Sequence, residues 1–167
     1  TVDITDNDTN TIAMGPVTVN EAADTMTFTV TQTGTNAVPI LLDYATSDGT
    51  AKDGVPETGT GIPDYTASTG TVTFAPGTDG TQTFTVPITN DLVVEGSEAL
   101  TVTLTPQIPS QVSGTSTLVA TGTIADNDTA TWSISGDPIA IEGGAARYTV
   151  RLAGTLQAGE TATINMS

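Results

Sequence analysis

Cysteine and histidine are both absent from the 167 residues. Their absence excludes disulfides, thiolate nucleophiles, zinc–thiolate sites, imidazole bases and any Ser-His-Asp triad. Positive charge is nearly missing too: Lys52, Arg147 and Arg151 face 19 acidic residues, a formal net charge of −16. Without a basic face the chain has no electrostatic grip on nucleic acid or an anionic membrane. No apolar run is long enough to insert in a bilayer, and no signal peptide is present, so an export signal is expected elsewhere in a longer parent. Aromatic residues make up only 4%. With no aromatic-lined cleft, paired acids have no sugar platform to work on, and no enzymatic activity is expected.

What the chain does have is threonine, about a fifth of all residues, which favours strand over helix. Apolar residues amount to 37%, so acidity alone does not imply disorder. They alternate with polar ones in Val17-Thr-Val19, Met26 to Val30, Ile40 to Tyr44, Val72-Thr-Phe74, Phe84 to Ile88, Leu100 to Leu104 and Leu118 to Ile124. A period of two is the pattern of half-buried antiparallel strands. Turn residues separate the runs: Asn20 to Asp24, Asp48-Gly49-Thr50, Ala75 to Gly80, Asn90-Asp91 and Pro109 to Gly114. Seven short strands at this spacing predict an all-β, antiparallel, immunoglobulin-like sandwich without appreciable helix.

The segment Ile4-Thr5-Asp6-Asn7-Asp8-Thr9 returns as Ile124-Ala125-Asp126-Asn127-Asp128-Thr129, 124 − 4 = 120 residues later. A spaced repeat of this kind marks the seam between tandem modules. Residues 1–8 then read as the last strand or linker of a preceding repeat, 9–128 as one complete module, and 129–167 as the first three strands of a following, truncated repeat. In that last part Trp132-Ser-Ile134 and Ile139-Ala-Ile141-Glu142 parallel Ile12 to Ala22, Tyr148 to Leu152 parallels Phe28 to Val30, and Thr161 to Met166 parallels the strand around Leu42. Tyr44, Tyr65 and Trp132 are expected in the core.

Strands that alternate up and down bring every second exit to one end of the sandwich. Glu21, Asp48, Asn90, Asp91, Glu95, Glu98 and Asp126-Asn127-Asp128 follow the first, third, fifth and seventh strands, so they gather at one pole. Seven carboxylates there repel one another by several kcal/mol, roughly, unless cations sit among them. Their oxygens suit a hard ion that takes six to eight ligands, and the inventory exceeds the needs of one. Asp64, beside Tyr65, is expected instead to bond local backbone.

In order, Val19-Asn20-Glu21, Leu42 to Ala51, Asp64-Tyr65, Gly70 to Phe74, Asn90-Asp91 with Glu95 and Glu98, and Gly122 to Asp128 resemble the Calx-beta domain. The resemblance covers about Thr11 to Asp128. It implies a seven-stranded sandwich that binds calcium, two or more ions, through Glu21, Asp48, Asp91, Glu95, Glu98, Asp126 and Asp128. The stretch Lys52 to Pro63 is longer than the family usually has, and Asn90 stands where an acid is common. The expected function is a calcium-stabilised extender in a large secreted or cell-surface protein of bacterial adhesin type, whose partners are adjacent repeats and a cell-surface glycan or protein. A regulatory calcium sensor, or a carbohydrate- or protein-binding adhesion module, is the alternative.

Overall fold

The computed structural model describes residues 10–54, 62–77, 79–113, 117–137, 139 and 141–165. The expected strand or linker at 1–8 and part of the long Lys52–Pro63 stretch lie outside them. All seven alternating runs form strands, and two short elements join them. The body runs β1 Thr11–Met14, β2 Val17–Asn20, β3 Thr25–Thr33, β4 Ile40–Asp48, β5 Thr69–Phe74, β6 Gly80–Pro87, β7 Val93–Val94, β8 Glu98–Pro106 and β9 Leu118–Ala125. Helical structure among the described residues is limited to two three-residue 3-10 turns, Glu21–Ala23 and Pro109–Gln111.

Two sheets face each other, one in the order β1-β3-β6 and one in the order β2-β9-β8-β4-β5. Between them lie Met26, Phe28 and Val30 of β3, Leu42 of β4, Phe84 and Val86 of β6, and Leu100, Val102 and Leu104 of β8, all buried. Truncating a buried leucine of this kind to alanine costs about 2–5 kcal/mol. Tyr65 is 1% exposed and Tyr44 half-buried, stacked on Phe84 with ring centroids 4.0 Å apart, so both join the core as expected.

One departure from a purely antiparallel sandwich sets up the acidic pole. Proline has no backbone donor to give a ladder, and Gly15-Pro16 breaks the first strand in two. The first piece, β1, pairs antiparallel with β3, while β2 crosses to the other sheet and pairs parallel with β9. Where the two sheets come together there, Gly122 of β9 presses on β3: a Cβ at that position would collide with the Met26 sulfur and crowd the Phe28 ring.

At the opposite pole the buried Gln32 side chain donates to Asn10 Oδ1 at 3.2 Å, Asn36 Oδ1 at 2.8 Å and the Gly34 carbonyl at 3.0 Å. These bonds fasten the chain's entry into the body.

After Asp128 the chain forms β10 Thr131–Gly136, β11 Tyr148–Ala153 and β12 Thr155–Leu156. β10 and β11 make an antiparallel hairpin; β12 instead pairs parallel with β7 of the body. Two expectations need correction here. Trp132 is 43% exposed rather than in a core, because among the described residues no second sheet opposes the hairpin. The expected third strand does not form over Thr161–Asn165, and Ile139 and Ile141 also lie outside strands, exposed. A strand needs an edge to pair with, and among the described residues these segments pair with none.

Candidate metal centre

Pairing registers bring the acids together. In the parallel pair, Asn20 of β2 lies beside Ala125 of β9. The next residues out of each strand, Glu21 and Asp126, therefore leave side by side. Across the antiparallel β8–β9 ladder Glu98 faces Ile124, two residues short of Asp126. An isolated bridge pairs Tyr65 with Ile88 and sets Asp64 next to Thr89, whose N–H donates to the Asp64 carbonyl at 2.9 Å.

Local hydrogen bonds then hold the loops. Asn20 caps the 3-10 turn by accepting from the Ala22 N–H at 3.0 Å, and the turn closes at Asp24 in the left-handed region, φ 60°. Asp126 accepts from Asp128 N–H at 2.7 Å and from Glu95 N–H at 2.8 Å, which ties the end of β9 to the loop before β8. Asp91 accepts from Val93 N–H at 2.7 Å. Asn127 donates to both Asn20 and Asn90 side-chain oxygens at 3.1 Å, so the amide at position 90 serves as a cross-brace.

Two groups of carboxylates result. Oxygens of Glu21, Asp126 and Asp128 lie within 4.8 Å of one another, and so do those of Asp64, Glu95 and Glu98. One narrow recess of about 10 Å³ joins the groups; Glu21, Asp64, Asp91, Glu95, Glu98 and Asp126 all line it. Glu21 is only 4% exposed. Its Oε1 and the Asp128 Oδ2 are buried and have no hydrogen-bond partner. No basic side chain lines the recess: the ion pair among the described residues, Lys52 to Asp48 at 4.0 Å, lies outside it, and the Lys52 charge opposes the rise of Glu98 only as the smallest of its causes.

The cost of this crowding shows in acidity. Burial, then the nearby Asp128 and Asp126 carboxylates, push Glu21 up to about 7. Burial followed by the charge of Glu98 raises Glu95 to about 7. Glu98 is raised to about 7 by burial against the opposing pull of the Gln157 amide, with Asp64 adding to the rise. Uncompensated carboxylates in such a site hold protons near neutrality.

Six of the seven acids expected at the pole line the recess or belong to a group: Glu21, Asp91, Glu95, Glu98, Asp126 and Asp128. Asp48 does not. Its Oδ1 accepts from the Tyr65 hydroxyl at 2.8 Å and from Asp53 N–H at 3.0 Å, and the Tyr65 bond is the main reason its acidity is increased. The structure adds Asp64 in its place. Asp64 does bond backbone, but twelve residues away, at Lys52 N–H (2.7 Å), and its carboxylate also joins Glu95 and Glu98. The sequence held one usable signal: a core tyrosine forces its neighbour to the rim.

Residues 3–128 match the Calx-beta domain family. Among solved structures, the apo-form Calx CBD1 domain is similar at 27% identity and TM-score 0.59, over 72% of this chain and 99% of that one. The calcium binding domain CBD12 of CALX1.1 shares 26% identity at TM-score 0.55, over 70% of this chain and 45% of that one. CBD12 from CALX1.2, at 18% identity, TM-score 0.54, and 90% and 76% coverage, shares the fold. No curated protein matches significantly. Since the match spans the whole body, sheets and acidic pole alike, the chain belongs to the Calx-beta domain family.

Proposed function

We propose that the chain is a calcium-binding structural module, an extender in a large extracellular or cell-surface protein of bacterial adhesin type. The observation that carries this reading is the pair of buried, unpartnered oxygens, Glu21 Oε1 and Asp128 Oδ2, beside a recess lined only by acids among its charged groups. Buried charge left unpaired is costly, and an all-oxygen donor set fits a hard divalent cation. Glu21, Asp126 and Asp128 would hold one ion; Asp64, Glu95 and Glu98 a second, with Asp91 on the wall between them. Calcium supplies the positive charge that lets these groups stay ionised together.

The residues so joined come from four separate stretches of chain, which is the work of a staple rather than of a catalyst. Millimolar calcium is an extracellular condition, and the described residues include no helix long and apolar enough to cross a membrane. Adjacent repeats are the natural partners of a module whose last acids, Asp126 and Asp128, lie where the next segment begins.

Melting in calcium and then in chelator tests the proposal. Each site adds about 0.4 kcal/mol when calcium equals the dissociation constant and about 2.7 kcal/mol at a hundredfold excess, so the midpoint should climb steadily with calcium, by roughly 5–10 °C per site at that excess. An unchanged midpoint removes the metal from the account. Titration separates the alternatives: near-millimolar affinity fits an extender, whereas submicromolar affinity points to a regulatory sensor.

A further inference from the structure

We infer that β7 is the docking edge for the segment that follows the body, and that Gln157 is a positioning residue for the carboxylate group of Asp64, Glu95 and Glu98. This inference rests on the calcium reading above. β7 is followed directly by Glu95 and preceded, two residues back, by Asp91, and both of these acids line the recess. In the parallel bridge from β12, Thr155 lies beside Val93 and Leu156 beside Val94, and Gln157 N–H donates to the Val94 carbonyl at 3.1 Å. The Gln157 side chain then reaches Glu98 and donates from Nε2 to Oε1 at 3.0 Å.

The route that brings Gln157 there is itself constrained. Gly154 adopts φ +119°, and a Cβ on it would press against Ala130 at 3.0–3.1 Å and the Thr129 carbonyl at 3.2 Å. The returning chain thus passes tightly over the two residues that leave Asp128. Exit linker, returning strap and metal-bearing loop form one contact.

An amide that donates to one oxygen of a carboxylate leaves the other oxygen free to meet a cation. By fixing the half-buried Glu98 side chain, Gln157 removes conformations that ion binding would otherwise have to freeze, the usual effect of an outer partner on a ligand. Reciprocity follows: if docking of the strap favours the ion, the ion favours docking by the same factor. The following segment is therefore read by the metal site through Gln157 as well as through the covalent seam at Asp128.

Calcium chloride titration of the full chain, with amide hydrogen exchange, tests this. Gln157→Ala should weaken one class of calcium sites by about tenfold and leave the class held by Glu21, Asp126 and Asp128 within twofold. Gln157→Met, which keeps the bulk but not the donor, should behave like the alanine variant. In the wild type, calcium should slow exchange of the Gln157 backbone amide several-fold. Wild-type affinity in both variants, or amide protection indifferent to calcium, overturns the inference while calcium binding stands. A wild-type chain silent to calcium overturns both.

Discussion

At the scale of single residues, the site divides acids that are braced by donors from acids that are not. Asp48 has the Tyr65 hydroxyl and the Asp53 amide, so nothing in its surroundings calls for a cation. Asp64 places a carboxylate oxygen within 4.8 Å of oxygens of Glu95 and Glu98. Asp64→Asn should therefore lower calcium affinity by about tenfold, whereas Asp48→Asn should change it less than twofold while costing about 1 kcal/mol through the weakened tyrosine bond. The reverse order in calorimetric titration would return Asp48 to the ligand set. Protons compete for the same groups. Glu21, Glu95 and Glu98 are raised from 4.5 to about 7, so between those values the calcium-free fold holds more protons than the unfolded chain. Its stability is greatest below about pH 4.5 as far as these groups are concerned, and it falls as pH rises through 7, by up to about 1.4 kcal/mol per unit per group. Chelated protein should melt lower at pH 7.5 than at pH 5.5. Calcium should erase or invert that difference, since it binds the deprotonated form.

At the scale of elements, the alternating runs were plain in the sequence because a half-buried strand writes its period directly into residue polarity. Three features were not. The first strand's break at Gly15-Pro16, and the joining of its two halves to different sheets, are decided by packing rather than by pattern. β7 is too short to show a period, and it matters only because β12 and the Asp91–Glu95 loop meet there. Asp64 was masked because its partners, Lys52 and Thr89, lie far along the chain. The hairpin β10–β11 pairs antiparallel, as β1 and β3 do in the body, yet Trp132 keeps a large exposed face, since a strand's own pattern cannot say whether a second sheet will arrive to cover it. The close crossing at Gly122 can be tested. Gly122→Ala forces Met26 or the sheet to shift and should cost about 1–3 kcal/mol in chemical denaturation, with calcium stoichiometry unchanged. A variant of wild-type stability would mean that the methionine side chain yields freely.

At the scale of the whole molecule, a formal charge of −16 on 167 residues is tolerable only if much of it is spread or neutralised. The pole concentrates the part that is neither. Asp126 and Asp128 sit at the last turn before the hairpin, so the joint should stiffen with occupancy. Small-angle scattering of the double variant Asp126→Ala, Asp128→Ala in calcium should show a longer-tailed distance distribution than the wild type. Identical curves would mean that the joint owes nothing to those acids.

The parallel pairing of β2 with β9 has a mechanical consequence. The chain enters the body at the Gln32 pole and leaves it at the acidic pole, with these two strands adjacent and running the same way. A pull on the two ends would thus drag β2 and β9 past each other in shear, stretching all their rungs at once instead of peeling them one by one. Carboxylates drawn in from both strands at the exit would add an electrostatic rivet across the very line along which the body would otherwise slip.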